Sequence, residues 1–104
     1  MTMKMIDELQ KQIEEEIEDA TNYAKKAVEY KETYPETAEL YFKLSGEEVN
    51  HMNALHKEVV RLIDSYRREK GEPPAGMMAI YNHLHQREIE KAEKVGILQN
   101  MYKR

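Results

Sequence analysis

The position of the helix-breaking residues constrains the fold of this chain more than any other feature of its sequence. All three prolines fall in two short segments, residues 33–36 and 71–76. Proline lacks a backbone N–H and disfavours helical geometry in the residue before it, so both segments interrupt a helix. The remaining sequence predicts three helices, over residues 2–32, 36–70 and 77–102.

The first break is short enough to make the first two helices an antiparallel hairpin. Pro35 suits the opening turn of the second helix, and Thr33 with Glu36 predicts a capping box. The second break is longer, and it follows a basic stretch typical of a helix C-terminus. The third helix then either covers the hairpin or joins another subunit.

Composition supports a single all-α domain over residues 1–104. The chain is 40% hydrophobic and 35% charged, which is the mix of long amphipathic helices. It contains no cysteine, so disulfides, thiolate nucleophiles and iron–sulfur clusters are excluded. Any bound metal must therefore be held by carboxylate and imidazole groups.

Charge and hydropathy predict neither nucleic acid nor membrane as a partner. The net charge of −4 arises from interspersed signs, without a basic stripe to follow a phosphate backbone. No apolar run approaches the roughly 18 residues of a membrane span, and the first eight residues lack the hydrophobic middle of a signal peptide. We expect a cytoplasmic protein.

Glu16, Glu48 and His51 interrupt the apolar faces that the helical period predicts. Glu16 falls where a leucine is expected, and Glu48 and His51 share one face because they are three residues apart. A lone ionised carboxylate in a core costs several kcal/mol or more unless it is paired, protonated or bound to metal. The predicted core rows are Leu9, Glu16, Tyr23 and Tyr30, and Tyr41, Glu48, Leu55 and Leu62.

The three polar residues are also predicted to lie at one height in the hairpin. Measured from the turn at Tyr34, Glu16 lies about 27 Å along its helix, Glu48 about 21 Å and His51 about 25 Å. One layer therefore brings a Glu from one helix to a Glu-x-x-His pair from the other. This set suits a first-row metal better than calcium or magnesium, with iron as our first choice and manganese or zinc as alternatives.

A dinuclear carboxylate site in a bundle uses four Glu and two His, and this chain supplies half of that number. The third helix offers no second Glu-x-x-His, so the simplest completion is a two-fold homodimer, or a larger even oligomer. Two hairpins would then form one four-helix bundle holding two metal ions.

In these residues the chain resembles the ferritin-like superfamily, especially its rubrerythrin-like and encapsulated-ferritin-like branches. The resemblance lies in Glu16 followed by Tyr23 with small residues around them, then Glu48-Val49-Asn50-His51. It implies iron binding and oxidation of Fe(II) by oxygen or peroxide, with Glu16, Glu48 and His51 as the metal site. It also implies Tyr23 as a nearby hydrogen-bond donor or redox neighbour.

Two other functions are compatible with the same residues. The polar layer of a metal-free helical interaction module would set the register of a dimer through hydrogen bonds. A metal site that stores or senses without turnover is the weaker alternative.

Several other polar residues have more ordinary interpretations. His85 and Glu88 form a reversed pair that could add an extra metal site, whereas His56 is predicted at an edge and His83 in solvent. Helix phase turns the remaining acids of the first helix toward water, with Glu18 as the substitute ligand if the phase differs. Those acids are Glu14, Glu15, Glu18 and Asp19.

The predicted buried face of the third helix comprises Met77, Ile80, Tyr81, Leu84, Val95, Leu98 and Tyr102.

Overall fold

The computed structural model describes residues 2–104, with side chains from Met3 onward. It consists of three helices, α1 (Thr2–Tyr30), α2 (Pro35–Lys70) and α3 (Ala75–Lys103), in a body of 55 × 18 × 17 Å. The prediction of an all-α chain is confirmed, and every helix end lies within two residues of its predicted position. None of the helices in residues 2–104 combines the length and apolar character needed to cross a bilayer.

The turn between α1 and α2 depends on Pro35, which is the first residue of α2 as predicted. Tyr34 precedes it with φ −136° and ψ 70°, and its carbonyl accepts the N–H of Ala38 at 2.8 Å. The predicted capping box is wrong, because Tyr34 occupies the N-cap position and makes no side-chain cap hydrogen bond. The hydroxyl of Thr33 is one residue too early for that role.

Gly71 ends α2. Its φ of 84° with ψ of −164° belongs to backbone that only glycine adopts readily, and its N–H donates to the carbonyl of Arg67 at 3.0 Å. This geometry directs the chain away from the α2 axis toward Pro74, which directly precedes α3. The connection returns α3 alongside the hairpin.

The first two helices form the predicted antiparallel hairpin. Ser45 of α2 is fully buried, and its hydroxyl donates to the carbonyl of Ala20 on α1 at 2.8 Å. The buried alanines Ala20, Ala24 and Ala27 carry the smallest side chains that keep helix propensity, so α2 approaches α1 closely along this length. Nearer the turn, the ring of Tyr23 stacks on Tyr41 with centroids 6.0 Å apart.

The main core lies between α1 and α2 and receives one large side chain from α3. Burial of these apolar side chains stabilises the hairpin by about 1.5–3 kcal/mol for each large residue removed from water. Members of the buried cluster are Ile6, Leu9, Ile13, Ile17, Ala20, Val59, Ile63 and Val95.

The third helix packs mainly along α1 and meets α2 through a few side-chain contacts. Gln99 donates from Nε2 to the hydroxyl of Ser45 at 3.0 Å, and the rings of Tyr102 and Phe42 stack with centroids 4.7 Å apart. Within this chain, α3 therefore covers its own hairpin. The sequence prediction left open whether this helix packs there or joins another subunit.

The predicted buried face of α3 is partly wrong. Val95 is buried as expected, but Ile80 is 64% exposed, and Glu88 is buried in its place. Apolar residues occur all around α3, so its sequence pattern does not single out one inward face. Packing against α1 selects the line through Glu88 and Val95, which are two helical turns apart.

Candidate metal centre

Glu16, Glu48 and His51 converge between α1 and α2. His51 Nδ1 lies 3.4 Å from Glu16 Oε2 and 3.6 Å from Glu48 Oε2. One ligand atom from each residue falls within 4.8 Å of the other two. The antiparallel packing that joins Ser45 to Ala20 fixes this layer, because Glu48 and His51 follow Ser45 by one and two turns.

The set lies at the edge of the hairpin and is less enclosed than its core positions predicted. The side chains of Glu16 and Glu48 are 24% and 18% exposed, and that of His51 is 60% exposed. The sequence placed this set between two paired subunits, so its enclosure there stays a prediction. The physical reason for the exposure in one chain is that α3 packs elsewhere and leaves this side of the hairpin uncovered.

One atom of the set is nevertheless shielded from water. Glu16 Oε2 is buried and has no hydrogen-bond partner among the described residues. A buried polar atom without a partner costs about 1–3 kcal/mol, and more for a charged group. The His51 Nδ1 contact at 3.4 Å is too long to relieve that cost as a strong hydrogen bond.

A divalent cation fits this donor set. Ligand atoms that bind one ion at about 2.0–2.2 Å lie at most about 4.4 Å from one another. Because the three ligand atoms already lie within 4.8 Å of one another, small side-chain rotations would bring them to that separation. Two carboxylates with one imidazole are a ligand set for iron, manganese or zinc. A bound cation would also give Glu16 Oε2 the partner that it lacks among the described residues.

The neighbouring acids behave as the helix phase predicted. Glu14, Glu15, Glu18 and Asp19 are all exposed, whereas Glu16 turns toward α2. The substitute ligand Glu18 is therefore not part of the group. Helical period alone separates one inward acid from four outward ones in this dense acidic run.

The three residues lie on a side of the hairpin that we call the open face. It comprises Gln12, Glu16, Tyr23 and Tyr30 of α1, and Leu44, Glu48, His51, Leu55 and Leu62 of α2. Beside His51 it contains a surface cleft of about 420 Å³ whose lining residues all belong to α1 and α2. The three leucines are half-buried, so an apolar stripe flanks the polar group.

Tyr23, the fourth predicted site residue, belongs to the open face but lies two helical turns from Glu16, about 10 Å along α1. Its ring stacks on Tyr41, and Lys26 places Nζ 5.3 Å from the Tyr41 ring centroid. A redox or hydrogen-bonding part for Tyr23 stays a prediction. Its observed contacts are those of packing.

The predicted reversed pair, His85 and Glu88, lies at a different place. His85 Nδ1 is 3.9 Å from Glu88 Oε1, and the His85 ring stacks on His56 of α2. About five residues separate His51 from His56, a rotation of roughly 140° about α2, so the two histidines occupy different sides of that helix. His83 is exposed as predicted.

Two buried polar residues of α1 and α2 were not anticipated as such. Gln10 is 6% exposed, and its Nε2 has no hydrogen-bond partner in the part of the chain described here. Ser45 is enclosed between all three helices. The only sequence signal for either is helical phase, since each falls on the inward side of its helix next to large apolar neighbours.

Searches with family models, curated proteins and solved structures found no match to this chain. The candidate centre therefore has to be judged on its own geometry and chemistry.

Proposed function

We propose that this chain binds divalent metal ions through Glu16, Glu48 and His51, and that two copies meet at their open faces to form a dinuclear centre. The observation that carries the proposal is the convergence of these three side chains around a buried, unpartnered oxygen, Glu16 Oε2. That atom needs a cation or a donor, and His51 Nδ1, the imidazole nitrogen beside it, lies 3.4 Å away, too far for a strong hydrogen bond.

The character of the open face supports a second copy as its partner. A half-buried stripe of leucines flanks the polar group on α2, and covering such a stripe removes apolar area from water. A two-fold axis that passes close to Glu16, Glu48 and His51 would bring each of them near its own copy, so that four carboxylates and two imidazoles come together. Four carboxylates close together repel one another strongly unless cations lie between them.

The charge of the paired centre matches two divalent ions. Glu48 would be the ligand shared by the two ions, and Glu16 and His51 would each serve one ion. Fe(II) bound at this centre would be the substrate, and oxygen or peroxide would oxidise it. The more specific proposal is therefore a small ferroxidase. In the single chain His51 is the most exposed of the three ligands.

Thermal unfolding with and without metal tests the binding step. A ligand at about 100 times its dissociation constant adds about 2.7 kcal/mol of stability, which raises the Tm of a chain this size by roughly 10 °C or more. We expect Mn(II) or anaerobic Fe(II) to produce that rise and a chelator to reverse it. Glu48→Ala should abolish the response, while Glu47→Ala, which removes an exposed neighbouring acid, should keep it.

The same samples separate the three functional readings. Oxygen consumption on addition of Fe(II), lost in Glu48→Ala, is expected of a ferroxidase. Metal binding without oxygen consumption would instead favour storage or sensing. If neither metal nor chelator changes the Tm, the protein is a metal-free interaction module and the proposed centre is wrong.

A further inference from the structure

A second cleft lies between α2 and α3, on the side of α1 that faces α3. Its volume is about 420 Å³, and most of its lining is apolar, provided by Ile13, Met52, Ile89 and Ala92. This size is within the range of small-molecule sites. None of the three residues of the candidate metal centre lines it.

Glu88 lines this cleft and is its most unusual residue. It is only 5% exposed, and its Oε2 has no hydrogen-bond partner among residues 3–104. The nearest imidazole atom, His85 Nδ1, is 3.9 Å from the other carboxylate oxygen and is itself buried without a hydrogen-bond partner there. A buried carboxylate oxygen in an apolar cleft is expected to have a hydrogen-bond donor.

Three aromatic rings form a parallel column beside Glu88. The rings of Tyr81 and His85 are inclined by 4° with centroids 5.7 Å apart, and those of His85 and His56 by 5° at 4.6 Å. His56 is at one end of the column, and it lines the cleft together with His85. Burial lowers the pKa of His56, and the nearby His85 lowers it further, so the His56 ring is uncharged at neutral pH.

The parallel column argues against a metal ion as the occupant. Imidazoles that share one ion direct a nitrogen of each ring toward it from different directions, about 3 Å apart for neighbouring ligands. Stacked rings 4.6 Å apart hold their nitrogens side by side and do not converge in this way. A flat ring face is instead suited to another planar group.

We propose that the cleft between α2 and α3 binds a small planar organic cation of the amidinium or protonated heteroaromatic amine class. A rotation of the Glu88 side chain that turns its buried Oε2 toward the cleft would let two parallel N–H groups of such a cation pair with both carboxylate oxygens, as in other paired contacts between planar cations and carboxylates. Its ring lies among the apolar side chains next to His56. The local charge also favours a cation. Glu93 lines the same cleft, and the Glu14 carboxylate on α1 adds negative potential at Glu88, which Lys91 opposes.

Benzamidine is a suitable probe, and isothermal titration of the full chain in buffer with chelator keeps the candidate metal centre out of the result. We expect benzamidine to bind, and the isosteric but uncharged benzamide to bind at least about tenfold more weakly. Glu88→Gln should weaken benzamidine binding by a similar factor. Glu90→Gln makes the same charge change at an exposed position of α3 and should leave binding unchanged.

A second variant protects the test against a folding defect. Ala92 is half-buried in the cleft, so Ala92→Leu should narrow it and weaken benzamidine binding while Glu88 and the helical circular dichroism signal persist. Equal affinity for benzamide, unchanged affinity in both Glu88→Gln and Ala92→Leu, or no binding up to about 5 mM would each overturn the proposal. So would displacement of benzamidine by Zn(II) in a separate titration without chelator, which would show that a metal takes the site.

Discussion

The buried carboxyl of Glu88 makes a quantitative prediction about stability that requires no ligand. Burial raises its pKa from 4.5 to about 7, and the Glu14 carboxylate adds to this, while Lys91 acts in the opposite direction. The folded protein therefore holds the proton more tightly than the unfolded chain does. Stability from this group is fully present below pH 4.5 and is lost as the pH rises through about 7.

The size of the effect follows from the difference between the two pKa values. Each pH unit between them corresponds to about 1.4 kcal/mol, so ionised Glu88 costs the folded state about 3 kcal/mol above neutral pH. Glu88→Gln retains a similar shape and cannot ionise. We expect it to match the wild type near pH 4.5 and to be about 3 kcal/mol more stable near pH 8.

Chemical denaturation followed by circular dichroism at a series of pH values measures this difference. Glu90→Gln is the matched control, since it removes an exposed acid from the same helix and should shift stability by less than about 0.5 kcal/mol at any pH. If Glu88→Gln is no more stable than the wild type near pH 8, the side chain is not held in the buried environment described here.

Three further substitutions test the packing that positions both sites, each by denaturant unfolding. Ser45→Ala removes the buried hydrogen bond to the Ala20 carbonyl and leaves the half-buried amide of Gln99 without its acceptor, so we expect a loss of about 1–3 kcal/mol. Ile13→Ala should cost about 2–5 kcal/mol because the side chain is in the core, whereas Ile97→Ala, at an exposed position of α3, should cost less than about 1 kcal/mol. Gly71→Ala should cost about 1–3 kcal/mol through its φ of 84°, while Gly76→Ala, which meets open space within a helix, should be neutral or slightly stabilising. Equal losses within either matched pair would contradict the burial or backbone assignments.

The helices could be predicted because their signals are local. Pro35 and the Gly71 segment fix where the backbone must leave helical geometry, and the structure breaks there. The layer of Glu16, Glu48 and His51 could also be predicted, since two helices leaving a short turn have a defined height at each residue. The proximity of these side chains is therefore a consequence of residue counting and helical rise.

The features that could not be predicted depend on where α3 packs. Its apolar residues surround the helix, so local pattern did not show that Glu88 faces inward and Ile80 outward. The same packing decides which side of the hairpin is covered, and hence why Glu16 and His51 remain partly exposed in one chain. The N-cap of α2 was predicted one residue too early, at Thr33, whereas the structure has it at Tyr34.

The most direct test of the account is native mass spectrometry of the purified chain after anaerobic loading with Fe(II), compared with Glu48→Ala and the Glu47→Ala control. We expect a dimer carrying two metal ions for the wild type and for Glu47→Ala, and a metal-free species for Glu48→Ala. A wild-type chain that stays monomeric and metal-free, or that carries as much metal as Glu48→Ala does, would contradict it.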